Sequence, residues 1–208
     1  MKKDFVKEQQ RAEKEIQALH ASGSLKKVDY QSARELMSFY ENKCLTRLET
    51  ARILFIIGSD SKLKMQATSQ VDYADYSEIV SASYYAMYYI VHAYLAATYF
   101  TKLEENVRGV HAITHKIVVY YLVKTKKLAQ HLYEEYLKTL DEVSRIQDIS
   151  IEEFRKDAFE IAESYDHVRD SREIFTYFVS KNAEEHHAEN TIKVAEEFIN
   201  TIKQLMLK

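Results

Sequence analysis

The sequence IVSASYYAMYYIVHAYLAATYF, residues 79–100, decides the fold of this chain. At helical spacing, Tyr84 and Tyr88 fall on one side of this stretch, whereas Tyr85 and Tyr89 fall on another. A helix that is apolar on two sides is surrounded by other helices, because each apolar side must be covered. We therefore predict that this stretch is the central helix of a helical bundle.

The composition of the whole chain supports a helical fold. Its 208 residues contain no proline and three glycines, whereas average usage is roughly 5% Pro and 7% Gly. Tight turns between strands depend on glycine, so a β-sandwich, a barrel and a repeated βαβ fold are excluded. Aromatic residues make up 12% of the chain, which is enough to fill a core and argues against disorder. The predicted fold class is all-α.

Helical periodicity divides the chain into an N-terminal helix and a bundle of about five main helices. Residues 1–27 form a charged helical extension, and residues 28–208 form the up-and-down bundle. Gly23, Gly58 and Gly109 stand at three of the expected helix boundaries. After the extension, the predicted helices are a stripe from Met37 to Phe55 and the stretches 75–101, 110–140, 151–178 and 183–207.

Charge, cysteine content and hydropathy limit the class of protein. The net charge is −3, from 29 basic and 32 acidic residues, so no overall field draws the chain to nucleic acid. Cys44 is the single cysteine, which excludes an intrachain disulfide and a CxxC metal site. The N-terminus lacks an apolar stretch of signal-peptide length, and polar residues interrupt 79–100, so no membrane span is expected. We expect a cytoplasmic protein.

Arg172 interrupts an apolar stripe. In the stretch 151–178, Phe154, Ala158, Ile161, Tyr165, Val168, Arg172 and Phe175 recur at alternating spacings of four and three. Burial of an unpaired charge costs several kcal/mol or more. Arg172 therefore either forms a structural salt bridge, with Asp166, Asp170 or Glu173 close in sequence, or lies at an interface or cleft.

Half of the sixteen tyrosines fall between Tyr73 and Tyr99. Tyrosine rings stack on nucleic-acid bases, but they also pack protein cores and dimer interfaces. The helical spacing and the neighbouring alanines favour packing for most of these rings.

The order of these motifs resembles the HEPN domains (higher eukaryotes and prokaryotes nucleotide-binding). The segment Tyr84-Tyr85-Ala86-Met87-Tyr88 is similar to a family helix that reads roughly Tyr-Tyr-Ala-Met-Phe. The stretches Arg172 to Tyr177 and Ala195-Glu196-Glu197-Phe198-Ile199 follow in the family's order. The resemblance covers about residues 30–206 and implies a helical-bundle homodimer that binds RNA or nucleotide. It further implies a partner, a minimal nucleotidyltransferase in a toxin–antitoxin pair.

Ribonuclease members of the family carry an arginine, four to six residues and then a histidine, which together cleave RNA at a dimer interface. Here four residues separate Arg172 from Tyr177, and no histidine follows before His186. Tyrosine has an unperturbed pKa of about 10 and is a poor general base at neutral pH. The resemblance thus assigns RNA or nucleotide binding to Arg169, Arg172 and Tyr177, with catalysis by Arg172 and Tyr177 absent or weak.

Three other groups of residues have the spacing of possible binding sites. His111 and His115 share one helical side, and Glu184 and His187 have the spacing of half a di-iron site, but neither completes a metal motif. No metal and no cofactor are therefore expected. Lys124, Lys126 and Lys127 form a basic patch that is either a solvated face or a contact to phosphate.

Three functional hypotheses follow from the sequence. The first is a non-catalytic or weakly active HEPN-like dimer that binds RNA, a nucleotide or a protein partner. The second is an active metal-independent ribonuclease toxin, in which Arg172 stabilises phosphate and Tyr177 or His167 transfers protons. The third is a structural helical adaptor without nucleic-acid binding.

Overall fold

A computed structural model describes residues 2–69, 75–104, 107–146 and 185–207, and over these ranges the chain is an all-α bundle. The all-α class predicted from composition is therefore confirmed. The described helices are α1 (Lys2–Ala21), α2 (Tyr30–Ser59), α3 (Ser61–Ala67), α4 (Tyr76–Tyr99), α5 (Val110–Val118), α6 (Gln130–Ile146) and α7 (Glu185–Met206). Two short strands, β1 (Leu25–Lys27) and β2 (Thr101–Leu103), form an antiparallel ribbon in which Leu25 pairs with Leu103. The predicted helix over 151–178 lies outside the described residues.

Helix α4 is the centre of the bundle, as its two apolar sides predict. It packs most extensively against α2 and α7 and also contacts α5 and α6. Fifteen of its 24 residues are buried, including polar Ser81, Ser83 and His92.

The neighbours of α4 present the apolar stripes expected from their periodicity. On α2, Cys44, Leu48 and Ala51 are buried against the core. On α7, the buried stripe comprises Ile192, Ala195, Phe198, Ile199 and Ile202. Among the described residues, no helix has both the length and the apolar character that crossing a membrane requires.

Aspartate side chains cap three of the helices. Asp29 accepts a hydrogen bond from the backbone N–H of Ser32 at the start of α2, at 2.9 Å. Asp60 and Asp75 cap α3 and α4 in the same way. Such caps satisfy backbone donors that the first helical turn leaves unpaired, and they thereby stabilise the start of each helix.

The expectation of one helix over 110–140 is wrong. Helix α5 ends at Val118, a π-helical turn follows over Val119–Val123, and α6 begins only at Gln130. The hydroxyl of Thr125 donates to the carbonyl of Tyr121 at 2.7 Å, and Lys126 adopts a positive φ of 55°, which ends the helical path. The apolar period continues through the break because both helices face the same core.

Helix α1 packs onto the bundle. Its residues Ala12 and Ile16 are 6% and 1% exposed and belong to the same core cluster as α4. On its polar side, Glu13 pairs with Lys124 at 2.7 Å and Glu15 pairs with Lys116 at 2.9 Å. Helix α1 therefore covers α5 and the π-helical turn.

Candidate functional site

The site residues assigned by the family resemblance lie in the stretch 147–184. Arg169, Arg172 and Tyr177 are thus outside the described residues, as is His167. Their proposed roles stay predictions. Among the described residues, side chains of α2, α4 and α5 form a candidate site.

The tyrosines of α4 fall into two groups. Tyr84 and Tyr94 are fully buried, as the packing interpretation expects. Tyr85, Tyr88 and Tyr89 are half-buried and reach the edge of the bundle. These three rings have surface that a ligand can contact, as do the half-buried rings of Tyr76 and Tyr99 at the two ends of α4.

Five aromatic side chains from three helices form what we call the tyrosine face: Tyr40 of α2, Tyr85, Tyr88 and Tyr89 of α4, and His111 of α5. Their rings are in mutual contact, with the centroids of Tyr88 and Tyr89 5.3 Å apart and those of Tyr88 and His111 5.4 Å apart. Tyr40 stacks on Tyr89 at 6.3 Å. These are the separations at which aromatic pairs attract each other.

Arg47 places a cation at the edge of the tyrosine face. Its guanidinium carbon lies 5.6 Å from the centroid of the Tyr85 ring, a cation–π distance. The side chain is 42% exposed and reaches Glu78 of α4 at 3.8 Å. Arg47 follows Tyr40 by seven residues, which is two helical turns, so both lie on the side of α2 that faces α4.

Beneath the tyrosine face, His92 is buried in its neutral form. The hydroxyl of Thr114 donates to the carbonyl of Val110 at 2.7 Å, so it accepts a hydrogen bond from Nε2 of His92 at 2.9 Å. Burial lowers the pKa of His92 to about 4. The ring therefore carries its proton on Nε2 and stays uncharged at neutral pH.

His111 is held by a hydrogen bond from the core. Burial raises the pKa of Tyr84 well above its ordinary value, so we assign its hydroxyl as the donor to Nδ1 of His111, at 2.9 Å. Desolvation lowers the pKa of His111, which favours neutral imidazole. Burial also raises the pKa of Tyr88 to about 12. With neutral imidazoles and protonated phenols, the cluster offers stacking surface and hydrogen-bond donors rather than a charged acid or base.

The basic patch Lys124, Lys126 and Lys127 is partly engaged within the protein. Lys124 pairs with Glu13, and Nζ of Lys127 donates to the hydroxyls of Tyr94 and Tyr99 at 2.9 and 3.1 Å. These bonds raise the pKa of Lys127, which therefore stays charged. The side chains of Lys124 and Lys127 thus connect the π-helical turn and the residues after it to α1 and α4.

Two of the histidines that have metal-ligand spacing in the sequence bond to other side chains. Nε2 of His115 is bonded to the hydroxyl of Tyr133 at 2.9 Å, and His187 is bonded to Glu142 at 2.5 Å. In the part of the chain that the structure describes, no group of three or more His, Cys, Asp or Glu side chains is arranged to hold a metal ion.

Tyr40 in the tyrosine face and Arg47 at its edge could not be identified as functional from the sequence. The periodicity of α2 predicts only that Tyr40 belongs to its apolar stripe, and it does not distinguish Arg47. Helical periodicity gives the side of a helix but not which neighbour covers it. The seven-residue spacing of Tyr40 and Arg47 indicates that the two lie on one side of α2. That this side faces α4 is known only from the structure.

Comparisons with family models, with curated proteins and with solved structures find no match to this chain.

Proposed function

We propose that this protein is a HEPN-like helical bundle that binds single-stranded RNA through the tyrosine face and Arg47, and that it acts as a homodimer. The observation that carries the proposal is the guanidinium of Arg47 above the half-buried ring of Tyr85. Stacked rings next to a partly exposed arginine are the combination that single-strand binding surfaces use.

The charges of the protein suit local rather than long-range attraction. The net charge is −3, so the overall field does not concentrate RNA at the surface. Affinity then depends on base stacking, worth about 1–3 kcal/mol per base, and on a few phosphate contacts. Binding by this surface is modest and strongly weakened by salt.

The protonation states of the described cluster favour binding over cleavage. His92 has a pKa of about 4, and the pKa of His111 is also lowered by desolvation. General acid–base catalysis works best with groups that titrate near the working pH. The family resemblance adds Arg169, Arg172 and Tyr177 as further RNA contacts and a minimal nucleotidyltransferase as partner, which remain part of the proposal.

The test is fluorescence anisotropy with a labelled 12-nucleotide single-stranded RNA at 20 mM and 150 mM NaCl. We expect binding at 20 mM salt that weakens steeply at 150 mM. Arg47→Gln and Tyr85→Leu are each expected to weaken binding about tenfold, which corresponds to about 1.4 kcal/mol. Arg47→Gln is also expected to reduce the salt dependence, because one cation fewer displaces counterions.

The chain contains a matched control pair for this experiment. Arg34 lies 5.8 Å above the ring of Tyr30, near the start of α2 and away from the tyrosine face. Arg34→Gln and Tyr30→Leu make the same chemical changes and should leave RNA binding unchanged. Equal losses from both pairs, or no binding at 20 mM salt, would contradict the proposal.

A structural adaptor is the second candidate, because the tyrosine rings also contact one another. In that case the rings of Tyr85, Tyr88 and Tyr89 only pack, and no RNA is retained at low salt. Gel analysis of the RNA after incubation tests the ribonuclease hypothesis, since a ribonuclease shortens the oligonucleotide whereas a binding protein leaves it intact.

A further inference from the structure

The aromatic contacts of the tyrosine face continue along α2 to Phe39. The ring centroids of Tyr40 and Phe39 are 5.3 Å apart, and the two ring planes are inclined at 68°. Phe39 is 52% exposed, and Nζ of Lys43 lies 5.6 Å from the centroid of its ring. The tyrosine face is therefore bordered by a second pair of a cation and an aromatic ring, in addition to Arg47 and Tyr85.

Phe39, Lys43 and Arg47 form one row on α2. They follow one another at intervals of four residues, so each is turned by about 40° from the one before it. The row from Phe39 to Arg47 extends about 12 Å along the helix axis. A stacked strand rises roughly 3.4 Å per nucleotide, so this row has the length of roughly three to four nucleotides. An RNA strand on the tyrosine face can therefore follow the row as far as Phe39.

A cavity lies at this end of the row, between the first turns of α2 and the ribbon. Its volume is about 370 Å³, which is within the range of small-molecule sites, roughly 300–1,000 Å³. The side chains that line it are Val28, Ser32, Glu35, Leu36, Phe39 and Lys102. Three of these are apolar, and the others are a hydroxyl, a carboxylate and an ammonium group. The cavity thus offers apolar walls for a flat ring and polar groups for the edge of that ring.

The ribbon brings two cations to one side of the cavity. Lys26 of β1 is paired with Lys102 of β2, so their side chains lie on the same face of the ribbon. Lys102 also forms an ion pair with Glu104 at 3.3 Å, in which the two side chains are 29% and 34% exposed. A partly exposed pair of this kind contributes little stability, so the ammonium group of Lys102 can also bind a phosphate.

Glu35 supplies the hydrogen-bond acceptor of the cavity. Nε2 of Gln31 donates to Oε1 of Glu35 at 2.7 Å, which orients the carboxylate. An ionised carboxylate accepts about four hydrogen bonds and donates none, so it retains acceptor capacity for a ligand. Guanine presents adjacent donors on its Watson–Crick edge, the N1–H and the N2 amino group, whereas uracil presents a single N–H between two carbonyl oxygens. A carboxylate at this place therefore favours guanine over uracil.

We propose that the cavity binds one guanine base of the RNA, with the base stacked on Phe39 and its Watson–Crick edge hydrogen-bonded to Glu35. Lys43 and Lys102 bind the phosphates on the two sides of that nucleotide. The guanine site rests on the RNA binding proposed above, because the strand reaches the cavity from the tyrosine face. It gives a stacking surface that otherwise tolerates any sequence a preference for RNA that contains guanine.

Fluorescence anisotropy at 20 mM NaCl with two labelled 12-nucleotide RNAs tests the proposal. One RNA is oligouridine, and the other is the same oligomer with one central guanosine. We expect the guanosine to raise the affinity of the full chain about tenfold, which is the discrimination that one good bidentate contact to a base provides. Glu35→Gln should reduce this ratio of affinities to less than about twofold, because the amide replaces one acceptor by a donor.

Glu49→Gln is the matched control. Glu49 is also an exposed glutamate of α2, about four helical turns beyond Glu35, so its substitution removes the same charge away from the cavity. The ratio of affinities should stay at about ten in this variant. A ratio that Glu35→Gln leaves unchanged, or that Glu49→Gln reduces equally, overturns the guanine site.

The guanine site and the proposed RNA surface fail in different ways. No binding of either RNA overturns both, whereas equal affinity for the two RNAs overturns the guanine site alone.

Occupation of the cavity can be followed directly, because the chain contains no tryptophan. Phe39→Trp places a single indole in the cavity wall, and a base that stacks on it quenches its fluorescence. We expect quenching by the RNA with guanosine, with the Kd that anisotropy gives for the same variant. Tyr30→Trp is the control, because Tyr30 is 64% exposed but lies about 160° around α2 from Ser32, and its fluorescence should not change. Saturation of RNA binding without quenching of Phe39→Trp overturns the cavity as the site of the base.

Discussion

Nε2 of His115 on α5 and the hydroxyl of Tyr133 on α6 are hydrogen-bonded at 2.9 Å in the interior of the bundle. The two rings are also nearly parallel, with an angle of 6° between their planes. This bond joins α5 to α6 across the π-helical turn. It also fixes an imidazole at a place where a positive charge is not solvated.

The stability of the protein is expected to fall as the pH drops below 6.5. Burial lowers the pKa of His115 to about 3 and that of His92 to about 4, against about 6.5 for histidine in the unfolded chain. Between these values the unfolded state binds more protons than the folded state. Each histidine then removes up to about 1.4 kcal/mol of stability per pH unit, and the stability is fully present above pH 6.5.

Urea unfolding at pH 7.5 and pH 5 measures this effect. His115→Gln is expected to lower stability at pH 7.5, because the bond to Tyr133 is altered, but to lose less on going to pH 5 than the wild type does. An identical loss between the two pH values in variant and wild type would show that His115 does not titrate with unfolding.

The pair of His187 and Glu142 is expected to have the opposite pH dependence. His187 of α7 is bonded to Glu142 of α6 at 2.5 Å, and this bond raises the pKa of His187. The stabilisation is therefore fully present below pH 6.5 and lost as the pH rises through the raised pKa. His187→Gln should destabilise the protein more at pH 6 than at pH 9.

A second histidine–glutamate pair between the same helices is the control. His131 reaches Glu197 at 3.0 Å, but the two side chains are 64% and 58% exposed. Exposed pairs contribute about 0–1 kcal/mol, so His131→Gln should have little effect at either pH. Equal effects of the two substitutions would contradict the role of burial at His187.

Helix α1 is expected to contribute to the stability of the bundle. Ile16 is 1% exposed in the common core, and removal of such a side chain costs about 2–5 kcal/mol. Ile16→Ala should therefore lower the free energy of unfolding by at least 2 kcal/mol in a urea titration. Its exposed neighbour Gln17 is the control, and Gln17→Ala should change stability by less than about 0.5 kcal/mol. If Ile16→Ala changes the free energy of unfolding as little as Gln17→Ala does, then α1 does not stabilise the bundle.

The sequence predicts those parts of the fold that depend on periodicity. The central position of α4 follows from its two apolar sides, and the buried stripe of α2 around Cys44 and Leu48 follows from three- and four-residue spacing. The break before α6 could not be predicted, because it depends on the positive φ of Lys126 and one bond from Thr125. A single strained residue leaves the apolar period unchanged.

The candidate site is harder to predict because it combines residues from three helices. Tyrosine spacing on α4 gives the sides on which the rings lie but not which rings a neighbouring helix leaves accessible. The position of Arg47 above Tyr85 depends on how α2 crosses α4, and that relation is tertiary. The sequence therefore identifies the tyrosines of α4 as candidates but does not identify Arg47.

Tyr133 and Tyr136 are expected to respond oppositely to the loss of the same hydroxyl group. They lie three residues apart on α6, and both are fully buried. The hydroxyl of Tyr133 is bonded to His115, whereas the hydroxyl of Tyr136 has no hydrogen-bond partner among the residues that the structure describes. A buried polar group without a partner costs about 1–3 kcal/mol of desolvation, and removal of a group that has one leaves its partner unpaired. In urea titrations at pH 7.5, Tyr136→Phe should therefore stabilise the protein by about 1 kcal/mol and Tyr133→Phe should destabilise it by about the same amount. A loss of stability in both variants would mean that Tyr136 has a bonding partner in solution, such as an ordered water molecule.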